Sequence, residues 1–241
     1  MPDFIISFNS DVIISAAVSG RIGAGGDVSH IDSADSRGLL NKIRLLTDAD
    51  INIGYISGRA EGEARHNISS AINAVLNIHW RKNSTSDEER EKLADAIDIF
   101  RKEVSSKLDS YIFMLNRETV SKKQLDRYIK NLKQEFGKLQ EKYLNMKKYY
   151  DEKDGVVKAK GIEVKELKEF EPDIKDGDIE IIAEAILVRV KDQKIKYLAA
   201  IDKHITLNWA TDMLEKKFGL LTRKPDSLIH IVQKRYKHII K

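Results

Sequence analysis

The sequence predicts an α/β fold, with a central, mainly parallel sheet flanked by helices and a long helical insertion. Three observations lead there. Short runs rich in β-branched and aromatic residues, at 3–8, 51–56 and 195–201, alternate with segments of helical period. Two of these runs deliver acids or amides at their ends, Asn9-Ser10-Asp11 and Asp202. Residues 84–150 instead carry two long apolar series at helical spacing.

The elements follow in order. Asp3 to Phe8 reads as a strand, and Val12 to Val18 as a helix with Ser10 as its N-cap. Glycines within 19–26 and the Ser/Asp-rich run at 28–37 form a polar loop. Leu39, Leu40, Ile43, Leu45 and Leu46 give a one-sided helix that stops near Asp48, and Ile51 to Ile56 a second strand. Ala64, Ile68, Ala71, Ile72, Val75 and Leu76 recur at three- and four-residue steps, predicting a helix over about 60–78 with Glu63 beside its apolar stripe.

Ser86 and Glu89 resemble a capping box, opening the series Leu93, Ile97, Phe100, Val104, Leu108, Tyr111 and Leu115. A second series runs from Leu125 through Leu132, Phe136 and Tyr143 to Met146. Two antiparallel helices, each burying its stripe on the other, are the economical account, and the hairpin is expected to dock on the core. The expected division is a core of 1–83 and 151–241 with an inserted arm of 84–150. Ile162 to Leu167 reads as a short strand or loop. Asp178 opens an apolar helix, with Gly177 easing its turn. Lys191 to Lys194 turns into the strand 195–201, Asn208 to Phe218 is helical, and short strand or helix pieces close the chain.

Composition narrows the classes. Of 241 residues, 41% are hydrophobic and 33% charged, enough apolar content for a substantial core and too much for a disordered polyampholyte. The absence of cysteine removes thiol catalysis and thiolate metal sites. No stretch reaches the length of a spanning helix, and the opening segment reads as a buried strand, not a signal peptide, so a cytoplasmic setting is expected. High Lys and Ile content suits a thermophilic archaeal source. Net charge is only +4, but residues 121–150 hold nine Lys/Arg against three Asp/Glu, and 221–241 six against one. Such fields attract a polyanion; two solvated faces would give the same distribution.

Parallel sheets collect functional groups at the carboxyl ends of their strands. Asp11, Glu63, Asp178 and Asp202 come from strand ends and helix starts, and four converging acids repel one another unless a cation offsets them. Oxygen donors without cysteine suit Mg²⁺ or Mn²⁺ better than Zn²⁺. The bland reading is that Asp178 and Asp11 are helix caps and Glu63 is solvated.

Taken together, "FNSDVIISA", "EARHNISSAI", "DIEIIAEAI", "YLAAIDKHI" and "FGLLTRKPDSLI" resemble, in order and spacing, the pieces of PIN-domain nucleases. The resemblance implies a PIN-like three-layer fold at about 1–80 and 155–232, interrupted by a long helical hairpin. It implies a divalent-metal-dependent endoribonuclease. Asp11, Glu63, Asp178 and Asp202 would be catalytic and, with Asn9 as a neutral ligand, would hold the metal. The first motif departs from the family pattern. Asn9 stands where an aspartate leads, Asp11 where asparagine or serine is usual, and Ala200 where a hydroxyl residue often precedes the last acid. An amide oxygen ligates a cation without bringing charge.

Ser10 and Asp176 are candidates to support the ligands. Arg59, Arg65, Lys142, Lys147, Lys148 and Lys203 are candidates for RNA phosphates, each against an alternative of surface ion pairs or snorkelling lysines. Glu61 rivals Glu63 but is expected to face outward. His66 and His204 are expected to be structural. The leading function is RNA hydrolysis with Mg²⁺ or Mn²⁺. The rivals are a catalytically impaired RNA-binding or scaffold module, and a toxin-type nuclease whose arm binds a protein partner or a second copy.

Overall fold

The computed structural model describes residues 3–18, 33–83, 87–152, 174–188 and 195–240. The predicted glycine loop, the capping Ser86, the 162–167 segment and the 191–194 turn lie outside the described residues. So do the side chains of Trp80, Lys147, Lys148, Lys203 and His204.

The first strand, β1 (Phe4–Phe8), is buried at all its positions, as a strand with neighbours on both edges and cover on both faces must be. It sits inside a parallel four-stranded sheet with β2 (Gly54–Ile56), β3 (Ile195–Ala199) and β4 (Leu220–Arg223), in the order β2-β1-β3-β4. Phe8 is in register with Ile56 on one side and Ala199 on the other. Three strands therefore end together at one edge.

Parallel pairing requires crossovers, which the helices supply. Between β1 and β2 lie α1 (Ser10–Val18) and α2 (Ser33–Asp48); between β2 and β3 lie α3 (Gly58–Asn83), α4 (Asp87–Met114), α5 (Lys122–Glu152) and α6 (Asp176–Leu187). The chain closes through α7 (Lys203–Thr206), α8 (Asn208–Phe218), β4 and α9 (Pro225–Tyr236). Gly219 ends α8 in the left-handed region at φ 67°, which frees its N–H to donate to the Glu215 carbonyl. Pro225 opens α9 where its missing N–H costs nothing.

Several boundaries differ from the sequence reading. Helix α1 begins at Ser10, so Asn9 precedes it and accepts the Ser10 N–H on Oδ1 at 2.8 Å. Asn9 also donates its own N–H to the Ala199 carbonyl at 3.0 Å, which holds it at the end of the strand ladder. Helix α6 begins at Asp176, two residues before its expected start, after an extended Lys175. Asp178 is thus an N3 residue, at the end of the helix where the Lys175 backbone N–H favours its charged form.

The arm docks on the core as expected, but its two helices are not chiefly each other's partners. Both long helices form, as α4 and α5, but their mutual packing is slight: α4 lies on α1, α3 and α2, while α5 lies on α6 and α8. Phe100, Val104, Leu108, Tyr111 and Ile112 of α4 join the same core as Leu132 and Phe136 of α5. Tyr128 meets Phe218, and Tyr143 meets Trp209 with ring centroids 5.6 Å apart. Periodicity requires that each stripe be buried and says nothing of the partner; here both stripes join the core formed by the sheet and its covering helices. The connection after α4 reaches the sheet itself. Asn116 donates its N–H to Gly54 O and accepts the Ile56 N–H, both at 2.9 Å, and so covers the outer edge of β2. No described helix is long and apolar enough to cross a membrane.

Candidate active site

At the edge where β1 and β3 end lies a cavity of about 770 Å³. It is lined by Asn9, Ser10, Asp11, Glu63, Asp178 and Asp202, together with Arg59, His66, Asn67 and Lys175. The register explains the convergence. Phe8 and Ala199 are paired, so the residues that follow them leave the sheet side by side, and helices α3 and α6 present their first turns to the same space.

Asp11 is held by backbone. Its Oδ2 accepts N–H bonds from Ile201 at 2.8 Å and Asp202 at 2.9 Å, and its Oδ1 accepts from Val12 at 2.6 Å. Burial pushes its pKa up to about 6, and the Asp202 carboxylate adds to the rise against the pull of the three N–H groups. Asp178 is likewise pushed up to about 6, first by burial and then by the carboxylates of Asp202 and Glu63. Lys175 opposes that rise. Asp202 and Glu63 therefore both lie within electrostatic reach of Asp178.

Glu63 is engaged on both oxygens. Arg59 donates Nε–H to Oε1 at 2.9 Å, and Ser10 donates Oγ–H to Oε2 at 3.2 Å. The same guanidinium lies 3.5 Å from Glu180. Gly177 makes room for this pair, since a Cβ there would collide with Glu63 Oε1 and stand 3.0 Å from Arg59 Nη2.

The other candidates sort by position. Glu61 is outside the lining; Arg117 holds it at 2.8 Å and Arg65 at 3.2 Å, and these partners lower its pKa. Arg65 also pairs with Asp109 at 2.5 Å, so it ties α3 to α4 instead of entering the cavity. Asp176 is exposed and pairs with Lys133 of α5 at 2.7 Å, turned from the lining. Lys142 is exposed on α5, whereas Tyr143 beside it is buried in the core. His66 lines the cavity.

Lys175, Asn67 and Glu180 were not singled out from sequence. Helical spacing signals Asn67, which stands four residues after Glu63 as Arg59 stands four before it. Lys175 and Glu180 carried no such signal, because the start of α6 was misplaced by two residues.

No protein-family model, curated protein or solved structure matches this chain. Among the described residues, no group of three or more His, Asp or Glu is disposed to cage a metal ion. The donor chemistry still fits a hard cation of the Mg²⁺ kind. Such an ion commonly takes one or two carboxylates and keeps waters or substrate phosphates for its remaining positions. Asp178 and Asp202 are the two carboxylates whose repulsion it would relieve.

Proposed function

We propose that the cavity is the active site of a divalent-metal-dependent endoribonuclease of PIN-like type. One observation carries the reading: acids from four distant parts of the chain line a single cavity at the carboxyl edge of a parallel sheet. The strand order and the acid-led start of α6 support the PIN-like assignment.

On this reading Asp178 and Asp202 hold Mg²⁺ or Mn²⁺, with the amide of Asn9 and the carboxylate of Glu63 beside them. The bound ion supplies Lewis acidity toward water and toward the scissile phosphate. Asp11 acts at one remove: by binding two successive N–H groups it fixes the backbone that carries Asp202. Arg59 and Lys175 bring positive charge to the lining and would meet phosphate oxygens. RNA is the substrate that the PIN resemblance implies.

The test is cleavage of single-stranded and structured RNA with and without Mg²⁺ or Mn²⁺. Asp178→Asn and Asp202→Asn should each abolish metal-dependent cleavage while the chain stays folded. Equal cleavage by wild type and both variants rejects the reading.

A second reading, an RNA-binding module with impaired hydrolysis, is favoured by the engagement of Glu63 with Arg59 and of Asp11 with backbone. It expects salt-sensitive RNA binding without cleavage. Asn9→Asp separates the two, because a gain of metal-dependent cleavage from an inactive wild type would identify the missing charge. A protein partner or second copy would find Phe113 (87% exposed) and Ile99 (55%) on α4. Sedimentation of Phe113→Ser against wild type tests that contact.

A further inference from the structure

Arg59 is a half-exposed cation that lines the acidic cavity. It stands in the first turn of α3, and its guanidinium lies between Glu63 of the same helix and Glu180 of α6. Helix α6 approaches the pair through Gly177, where any side chain would displace it. Ser10 occupies the second oxygen of Glu63. The pair thus lines the acidic cavity while remaining open to solvent, with the Arg59 side chain 47% exposed and that of Glu63 21%. A positive charge already stands at one of the carboxylates that a divalent ion would seek.

From this geometry we infer that Arg59 is an internal counter-cation that competes with a divalent metal for Glu63. The inference rests on the metal-site reading above. In the free protein Arg59 satisfies Glu63, so a metal ion finds only Asp178 and Asp202 and binds weakly. A phosphodiester entering the cavity offers the guanidinium a second anionic partner, with the planar fork geometry it favours. When Arg59 turns to the phosphate, Glu63 is released toward the metal. Metal and polyanion then strengthen each other's binding, as linkage requires when both act on one shared group.

The competition is read by Mn²⁺ binding alone, followed by calorimetry or by loss of the free-ion paramagnetic signal in the absence of RNA. Arg59→Gln should bind Mn²⁺ at least about fivefold more tightly than wild type, the low end of ordinary coupling between linked sites. Removing any nearby positive charge would raise cation affinity somewhat, so Arg59→Gln is also made in the Glu63→Gln background and compared with Glu63→Gln alone. Loss of the gain in that background shows that it passes through Glu63. Retention of the gain overturns the inference in favour of a diffuse field effect. Unchanged or weaker binding by a folded Arg59→Gln also overturns it, while leaving the metal site of the wild type standing. If neither wild type nor Arg59→Gln binds Mn²⁺, the inference and the metal reading fall together.

Discussion

The carboxylate of Asp11 and the backbone N–H of Asp202 are 2.9 Å apart although 191 positions separate them in the chain. The neighbouring N–H of Ile201 donates to the same oxygen at 2.8 Å. A residue in the first turn of α1 thereby holds the segment that leaves β3. Asp11→Ala should cost about 2 kcal/mol, since it strips buried N–H groups of a charged acceptor. Chemical denaturation measures that loss, and cleavage should fall with it because Asp202 is no longer held. A variant as stable and as active as wild type would show the clamp to be dispensable.

Protonation gives a second expectation. Asp11 and Asp178 are both raised from 3.8 to about 6 in the folded chain. Between those values the folded state binds more protons than the unfolded one, so stability falls as pH rises from about 4 to about 6. The contribution is fully present below the lower value and gone above the upper. Asp178→Asn should flatten this fall and raise the metal-free Tm at pH 7.5 by a few degrees, roughly 1 kcal/mol in a chain of this size. Thermal melts across pH 4–8 check the slope, and an equally steep fall in the variant would remove Asp178 as its source.

Added Mn²⁺ should act in the opposite sense. A cation that binds the folded chain alone raises Tm, by about 2.7 kcal/mol of stability at a hundredfold excess over Kd. The rise should be larger at pH 7.5 than at pH 5, where protons occupy the same carboxylates. Equal shifts at both pH values would argue for binding elsewhere.

Glu61 and Glu63 should behave differently. Glu61 joins an exposed ion-pair network with Arg65 and Arg117, for which about 0–1 kcal/mol is the expected worth. Glu61→Gln should therefore leave RNA cleavage intact, whereas Glu63→Gln should reduce it. Kinetic comparison of the two variants decides which glutamate belongs to the site.

Two glycines make a paired test of packing. A Cβ at Gly54 would stand 2.7 Å from both Ile43 Cγ2 and Leu115 Cδ2, side chains that are themselves buried. Gly54→Ala should cost about 1–3 kcal/mol as an overpacked core does. At Gly177 the obstacle is the flexible end of Glu63 together with Arg59. Gly177→Ala should change stability by less than about 1 kcal/mol, helped by the helix-favouring methyl, yet alter Mn²⁺ affinity and cleavage. Urea titration beside Mn²⁺ binding distinguishes the two cases.

The sequence alone was sufficient for whatever depends on local period and composition. The β-branched run of β1, the stripes of α3, α4 and α5, and the helix at 208–218 were all legible, because side-chain burial repeats at two or 3.6 residues whatever lies opposite. Burial alone does not separate Glu63 from Glu61, since both side chains are 21% exposed; only the tertiary structure places Glu63 in the cavity lining and Glu61 against Arg65 and Arg117. Partners were not legible either. Periodicity required α4 and α5 to be buried but could not say that each lies on the core helices, since apolar burial is non-directional. Nor could it show Asp11 bound by Ile201 and Asp202, or Arg59 set against Glu63 and Glu180. Those arrangements depend on the register of β1 with β3 and on the approach of α6 at Gly177, which are long-range contacts that only the assembled tertiary structure decides.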